Sequence, residues 1–166
     1  MHTEPAQIAG RIVSNWQTHL VGRLVRPEER DRGNALMAAH PYLGFRGVVG
    51  EALYYVACLD DEWVALRGWA AAAWMCRRRD QWIGWTRAQQ GERLRFVVDN
   101  VRLLILPDVQ MPNLASKTLT LNIRRMATDW QAVYGHPVVL AETFVDPARF
   151  AGIPYHAAEW RYLGQI

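Results

Sequence analysis

Residues 101–135 read VRLLILPDVQMPNLASKTLTLNIRRMATDWQAVYG, and this stretch decides the fold. Residues 101–106 form an almost unbroken apolar run of strand length, the pattern of a strand covered on both faces. Pro107, Asp108, Pro112 and Asn113 interrupt it. Leu119, Ile123, Met126, Ala127, Trp130 and Val133 then recur at three and four residues, the period of a helix that buries one side, and Gly135 with Pro137 supplies its stop. The stretch therefore predicts a strand, a tight loop and a helix over 113–134. Residues 138–145 follow as a second strand, with Leu140, Glu142 and Phe144 on one face. A helical crossover of this length is the usual link between parallel strands, so 101–106 and 138–145 are expected as parallel neighbours.

Upstream, residues 51–69 change to an aromatic and β-preferring pattern, EALYYVACL and EWVALRGW, with Asp60 and Asp61 between them as the turn of an antiparallel hairpin. Thr86 with Gln89 has the form of a capping box, predicting a helix over 87–98. Pro27, followed by Glu28, Glu29 and Asp31, opens a helix that runs to about His40, and residues 20–26 precede it as a short strand. Ile8, Ile12, Val13, Trp16 and Leu20 lie on a helical stripe, so residues 1–22 are expected as an N-terminal helical extension. Residues 150–162 read as loop and helix. The chain is thus expected to be one α/β (α+β) domain over 1–166, a mixed sheet with helices on both faces.

The 166 residues are 51% hydrophobic and include eight tryptophans, enough for a core without disulfide or metal staples. Cys58 and Cys76 have no ligand spacing, and the five histidines pair with no Cys, Asp or Glu at a metal-binding interval, so no metal is expected. No apolar run reaches the length of a membrane span and the first twenty residues lack the apolar core of a signal peptide, which points to a cytoplasmic protein with no membrane partner. The net charge of +3 is modest, yet eighteen of the nineteen basic residues are arginine. Arg77, Arg78 and Arg79 form the one basic run, and beside Trp74, Trp82 and Trp85 they are the candidates for contact with a nucleic-acid backbone.

Gln110, Asn113, Ala115 and Leu119 resemble the Gln/Arg-x-x-Gly-x-Gly/Ala segment and following helix of the GNAT superfamily of N-acetyltransferases. That resemblance implies a GNAT-like sheet, with acetyl-CoA or another acyl-CoA as cofactor. The cradle for its pyrophosphate would be Gln110, Asn113, Leu114, Ala115 and Ser116. Asn113 stands where the family has its first glycine. The resemblance also implies that strands 101–106 and 138–145 splay apart around the acyl group. Glu142 would then be the general base, with an ion pair to an arginine such as Arg102 as its structural alternative. Tyr155 is the candidate general acid, with an interfacial aromatic as its structural alternative. Trp160 falls where the family's tyrosine protonates the leaving thiolate, an indole N–H is too weak an acid for that role, and Tyr155 or Tyr162 would have to substitute.

A second resemblance covers residues 23–166. RDQWIGW (79–85), NVRLLILP (100–107), NLAS (113–116) and ETFVD (142–146) occur in order, with Gly152, Tyr155, Ala157, Ala158, Trp160, Leu163 and Gly164 after them and His40, Tyr42, Leu43 and Gly44 before. This series is similar to the DruA family, found beside transposases and in Druantia-type anti-phage systems. Ile153 and Glu159 stand where that family has threonine and asparagine. Its members also continue past the terminal glycine into a Gly/Arg-rich tail, whereas the sequence here ends at Ile166. The two resemblances imply two functions. One is an acyl-CoA-dependent N-acyltransferase with a degenerate site. The other is a non-enzymatic component of a mobile-element or anti-phage defence system that binds nucleic acid or a protein partner.

Overall fold

The computed structural model describes residues 4–40 and 48–166. Five strands form the main sheet: β3 (Leu20–Leu24), β4 (Ala52–Leu59), β5 (Glu62–Ala71), β6 (Val97–Ile105) and β8 (Leu140–Glu142), in that order across the sheet. Three smaller strands, β1 (Ala6–Ile8), β2 (Arg11–Val13) and β7 (Val109–Gln110), make a second sheet in the order β2-β1-β7. The helices are α1 (Arg30–Ala38), α2 (Arg77–Ile83), α3 (Arg87–Arg93), α4 (Leu114–Tyr134) and α5 (Ile153–Ala157). The architecture is mixed α+β with a curled mixed sheet. His40 lies at the edge of the described residues, and the anchor at Tyr42, Leu43 and Gly44 lies outside them.

The two strands are parallel neighbours as expected, but the first begins at Val97 and the pairing lies at 97–99, ahead of the stretch 101–106. Val97, Val98 and Asp99 of β6 align with Leu140, Ala141 and Glu142 of β8, while β3 to β6 are antiparallel throughout. The β4–β5 hairpin turns at Asp60 (φ 48°) and Asp61 (φ 69°), the paired left-handed conformation that matches strand twist. Helix α4 starts from Asn113, itself left-handed at φ 58°, and stops at Gly135, whose N–H donates to the Gln131 carbonyl at 3.0 Å.

Each face of the sheet has its own core. Leu53, Tyr55, Trp69 and Val98 meet Leu119, Met126 and Trp130 of α4 on one side. Met37 of α1 meets Val56, Cys58, Leu66 and Leu104 on the other. The buried stripe of α4 differs from the apolar periodicity, since Thr118 and Asn122 lie inside it while Ile123, Ala127 and Val133 face outward. Asn122 is inside because it accepts a hydrogen bond from the buried Trp69 indole at 3.0 Å.

Several boundaries are corrected. Where the helical extension over 1–22 was expected, the described residues form a hairpin, β1 and β2, turned at Ala9 (φ 47°) and Gly10 (φ 78°), followed by a 3-10 turn at Trp16–Thr18. Ala6 and Ile8 are buried alternately against Trp16, and Ile12 is 65% exposed, so the stripe that mimicked a helix was two short strands. The helix over 87–98 ends at Arg93, because Val97 and Val98 already belong to β6. Residues 77–83 form an additional helix, α2, closed by the left-handed Gly84 (φ 73°). The strand over 138–145 contributes only Leu140–Glu142 to the sheet, and α5 spans only Ile153–Ala157 of the helix expected within 150–162.

Two bulges curl the sheet, one of them where Gly68 pairs Arg102 and Trp69 pairs Asn100, leaving Val101 as an extra residue on β6. Gly68 is tight here: a Cβ would come 2.8 Å from the Tyr54 ring and 3.1 Å from the Arg102 Cβ. Gly68→Ala is expected to lose about 1–3 kcal/mol in denaturant unfolding through overpacking. Gly33→Ala in α1 is expected to gain roughly 0.5–1 kcal/mol, since its Cβ would meet only Val25 at an ordinary 3.9 Å.

Candidate functional site

The bulge at Val101 and the brevity of β8 make the parallel pair diverge after Asp99 and Glu142. Side chains alternate across a strand, so this fork carries different chemistry on each face. Asn100 points toward α4. Its Oδ1 accepts from the Tyr155 hydroxyl at 2.7 Å and from Arg67, its Nδ2 donates to the Gly68 carbonyl at 2.9 Å, and its own carbonyl accepts from the Thr143 hydroxyl at 3.2 Å. Arg67 is 1% exposed, and its other bonds go to the Ala115 carbonyl at 2.7 Å and the Thr118 hydroxyl at 3.3 Å. Its acceptors are all neutral, and burial lowers its pKa. Tyr155 therefore sits inside a polar network, with Trp160 packed 6.2 Å from Trp69 and 5.3 Å from Tyr155 between ring centroids.

The opposite face holds the acids. Glu142 Oε1 accepts from Arg79 Nη1 at 2.8 Å, so its partner is Arg79 and not Arg102. Arg79 is 1% exposed and places all five N–H groups: on Asp80 at 2.9 Å, on Glu142, twice on the Ala73 carbonyl at 3.0 Å and on the Trp74 carbonyl at 3.3 Å. Asp80 also accepts from the Trp85 indole at 3.1 Å. The last arginine of the 77–79 run is thus removed from any solvent-facing basic surface. Arg77 and Arg78 remain exposed on α2.

Burial raises the Glu142 carboxyl against the opposing pull of Arg79. Asp99, opposite it in register, is pushed up to about 7 by burial first and by Glu142 second, and its Oδ1 has no hydrogen-bond partner. Asp99 and Arg67 are absent from the sequence reading, and Asn100 enters it only as part of a family motif. The signal available was a charged or amide group inside otherwise apolar strand segments, VVDN and WVALRGW.

At the start of α4 the expected cradle residues are together but engaged. Gln110 pairs with Gln7 in the small sheet, Leu114 is buried with its N–H on the Met111 carbonyl at 3.2 Å, the Ala115 carbonyl holds Arg67, and the Ser116 hydroxyl donates to the Asn113 carbonyl at 3.0 Å. Asn113 keeps the left-handed conformation usual for glycine.

Beyond Glu142, the free side of β8 faces α2 across a groove of about 600 Å³, walled on the third side by α5 and the C-terminal segment. Trp82, Phe144 and Tyr162 line it and are 41–69% exposed, which leaves aromatic surface open to a ligand, and Phe150 adds to the lining. Arg78 and Arg161 stand among them, with the Arg161 guanidinium 5.9 Å from the Trp82 ring centre and Arg78 Nε donating to the Gln165 carbonyl at 3.1 Å. An adjoining hollow shares Arg78 and Phe144 and adds Arg77. Among the described residues no group of His, Cys, Asp and Glu could hold a metal ion, and no helix is long and apolar enough to cross a membrane.

A mixed α+β sheet with one parallel fork, two sealed arginines and an aromatic groove defines the class of domain. A family model, Druantia protein DruA, matches residues 7–165, and the chain belongs to that family. No curated protein and no solved structure matches it.

The unpaired Asp99 carboxyl yields a test. A folded pKa raised from 3.8 to about 7 means that the folded state binds the extra proton, so stability falls as pH rises through this window and is level above it. That rise corresponds to about 4 kcal/mol, so Asp99→Asn should melt higher than the parent protein at pH 8, by on the order of 10 °C. The difference should vanish near pH 4, and calorimetric melting at both values checks it.

Proposed function

We propose that this chain is a non-enzymatic component of an anti-phage defence system that binds single-stranded nucleic acid in the groove between α2, β8 and the C-terminal segment. The observation that carries this reading is the set of exposed rings, Trp82, Phe144 and Tyr162, interleaved with Arg78 and Arg161. Stacked bases need open aromatic faces and the phosphates between them need cations, and the groove supplies both. Arginine suits the task because its planar guanidinium both stacks and pairs with phosphate oxygens. The acids nearby are themselves engaged: Glu142 and Asp80 share Arg79, and Asp146 lies 3.5 Å from Arg149. Membership of the DruA family supplies the defence setting.

Acyl-CoA is the competing ligand, and the residues present fit it poorly. Asn113 has the right backbone conformation for a phosphate turn, yet the Leu114 N–H donates to the Met111 carbonyl, the Ser116 hydroxyl to the Asn113 carbonyl, and Gln110 is paired with Gln7 in the small sheet. The fork where a thioester would lie is spanned by Thr143 and Tyr155, both bonded to Asn100, and Glu142 is held by a guanidinium.

Fluorescence anisotropy with short labelled DNA and RNA strands tests the reading. With about three phosphates held by Arg77, Arg78 and Arg161, the logarithm of affinity should fall against the logarithm of salt with a slope of roughly −2. Replacing Arg77 and Arg78 by alanine should flatten that slope to about −0.7, and Trp82→Ala should cost about 1–3 kcal/mol of affinity. Absence of binding to either strand at low salt, together with acetyl-CoA binding and turnover, would replace this reading by the acyltransferase one.

A further inference from the structure

One polar group on the groove floor is not explained by stacking or by phosphate binding. Glu142 lines the groove with its side chain 12% exposed, and Arg79 occupies Oε1 from behind. Oε2 accepts no hydrogen bond from any described residue, and Oε1 keeps a second lone pair. A half-satisfied carboxylate beneath aromatic walls needs donors from whatever occupies the groove, because burying it without them costs more than leaving it in water.

We infer that Glu142 reads base identity, accepting the donor edge of one unpaired guanine inserted among the aromatic side chains of the groove. This rests on the nucleic-acid reading above. Guanine is the base whose Watson–Crick edge carries two adjacent donors, the ring N1–H and the N2 amino group, which match the two oxygens of one carboxylate. Cytosine and adenine place an amino donor beside a bare ring nitrogen, whose lone pair would face the second oxygen. Thymine and uracil flank their single N–H with two carbonyls, and both repel an anion. Unstacked bases in single strands are read on this edge, with the ring held by aromatic side chains. The Arg79 guanidinium, fixed by Ala73, Trp74 and Asp80, holds Glu142 in place, so the acceptor is preorganised.

The experiment uses the full chain and four labelled thymine decamers differing at one central position: thymine, guanine, inosine or 7-deazaguanine. Guanine should bind about ten-fold more tightly than thymine, the value of one good bidentate pair. The 7-deaza base, whose Watson–Crick edge is intact, should keep that gain, and inosine, which lacks the N2 amino group, should lose most of it. In Glu142→Gln the guanine-to-thymine ratio should fall close to one. Should that variant fail to fold, the inosine and 7-deazaguanine strands decide the matter on the parent protein. Equal affinity for all four decamers would overturn base reading while leaving the groove as the binding site. Failure of every decamer to bind at low salt would overturn the nucleic-acid reading beneath it.

Discussion

A guanidinium sealed from water must find an acceptor for each of its N–H groups, and Arg79 meets that demand by drawing three parts of the chain together. Its acceptors are the carbonyls just after β5, the carboxylate of Asp80 within α2 and the carboxylate of Glu142 on β8. Losing one partner of such a buried pair typically costs about 3–5 kcal/mol, because the remaining charge is stranded. The short strand β8 is therefore held as firmly by this side chain as by its three-residue ladder with β6. Both walls of the groove hang from it, since α2 carries Trp82 and Arg78 and β8 leads into Phe144.

On the other face of the same fork Arg67 meets the equivalent demand only in part and without any carboxylate, since its Nε has no hydrogen-bond partner. It uses Asn100, the Ala115 carbonyl and the Thr118 hydroxyl, and burial weakens its hold on its proton without a counterion to restore it. Two buried arginines, one on each side of diverging strands, set the geometry there. The polar core ties α5 and Trp160 to the sheet, and the C-terminal segment that follows becomes the third wall of the groove.

How far the sequence reveals this depends on the range of the interaction involved. The parallel pair, α4 and the β4–β5 hairpin were legible because each is specified by local periodicity and by turn residues such as Asp60, Asp61 and Gly135. The N-terminal hairpin was not, because five apolar residues over sixteen positions satisfy a helical stripe as readily as two alternating strands. Only Ala9 and Gly10, left-handed in the fold, separate the two. Glu142 was legible as a perturbed carboxyl, yet its partner was not. In RRRD each helical step turns the side chain by about 100°, so a run of like charges cannot all face one way, and Arg79 turns inward while its neighbours stay in solvent. The groove was the least legible feature, since its residues come from α2, β8 and the chain's last segment and meet only through tertiary packing.

The small sheet has a consequence for the route by which the protein assembles. Strand β1 pairs with β2 across a two-residue turn, but it also pairs with β7, roughly a hundred residues away, through Gln7 with Gln110 and Ile8 with Val109. Bringing such distant segments together in a disordered chain sacrifices much loop entropy for few hydrogen bonds. Once β3 to β6 have formed, most of that distance is already folded and the remaining search is short. The hairpin at the start of the chain is thus a late addition in folding even where it is the first part to be synthesised. Once docked, it is held less by those few hydrogen bonds than by Ala6 and Ile8, which are buried with Trp16, Leu59 and Leu114 in a core shared with the main sheet.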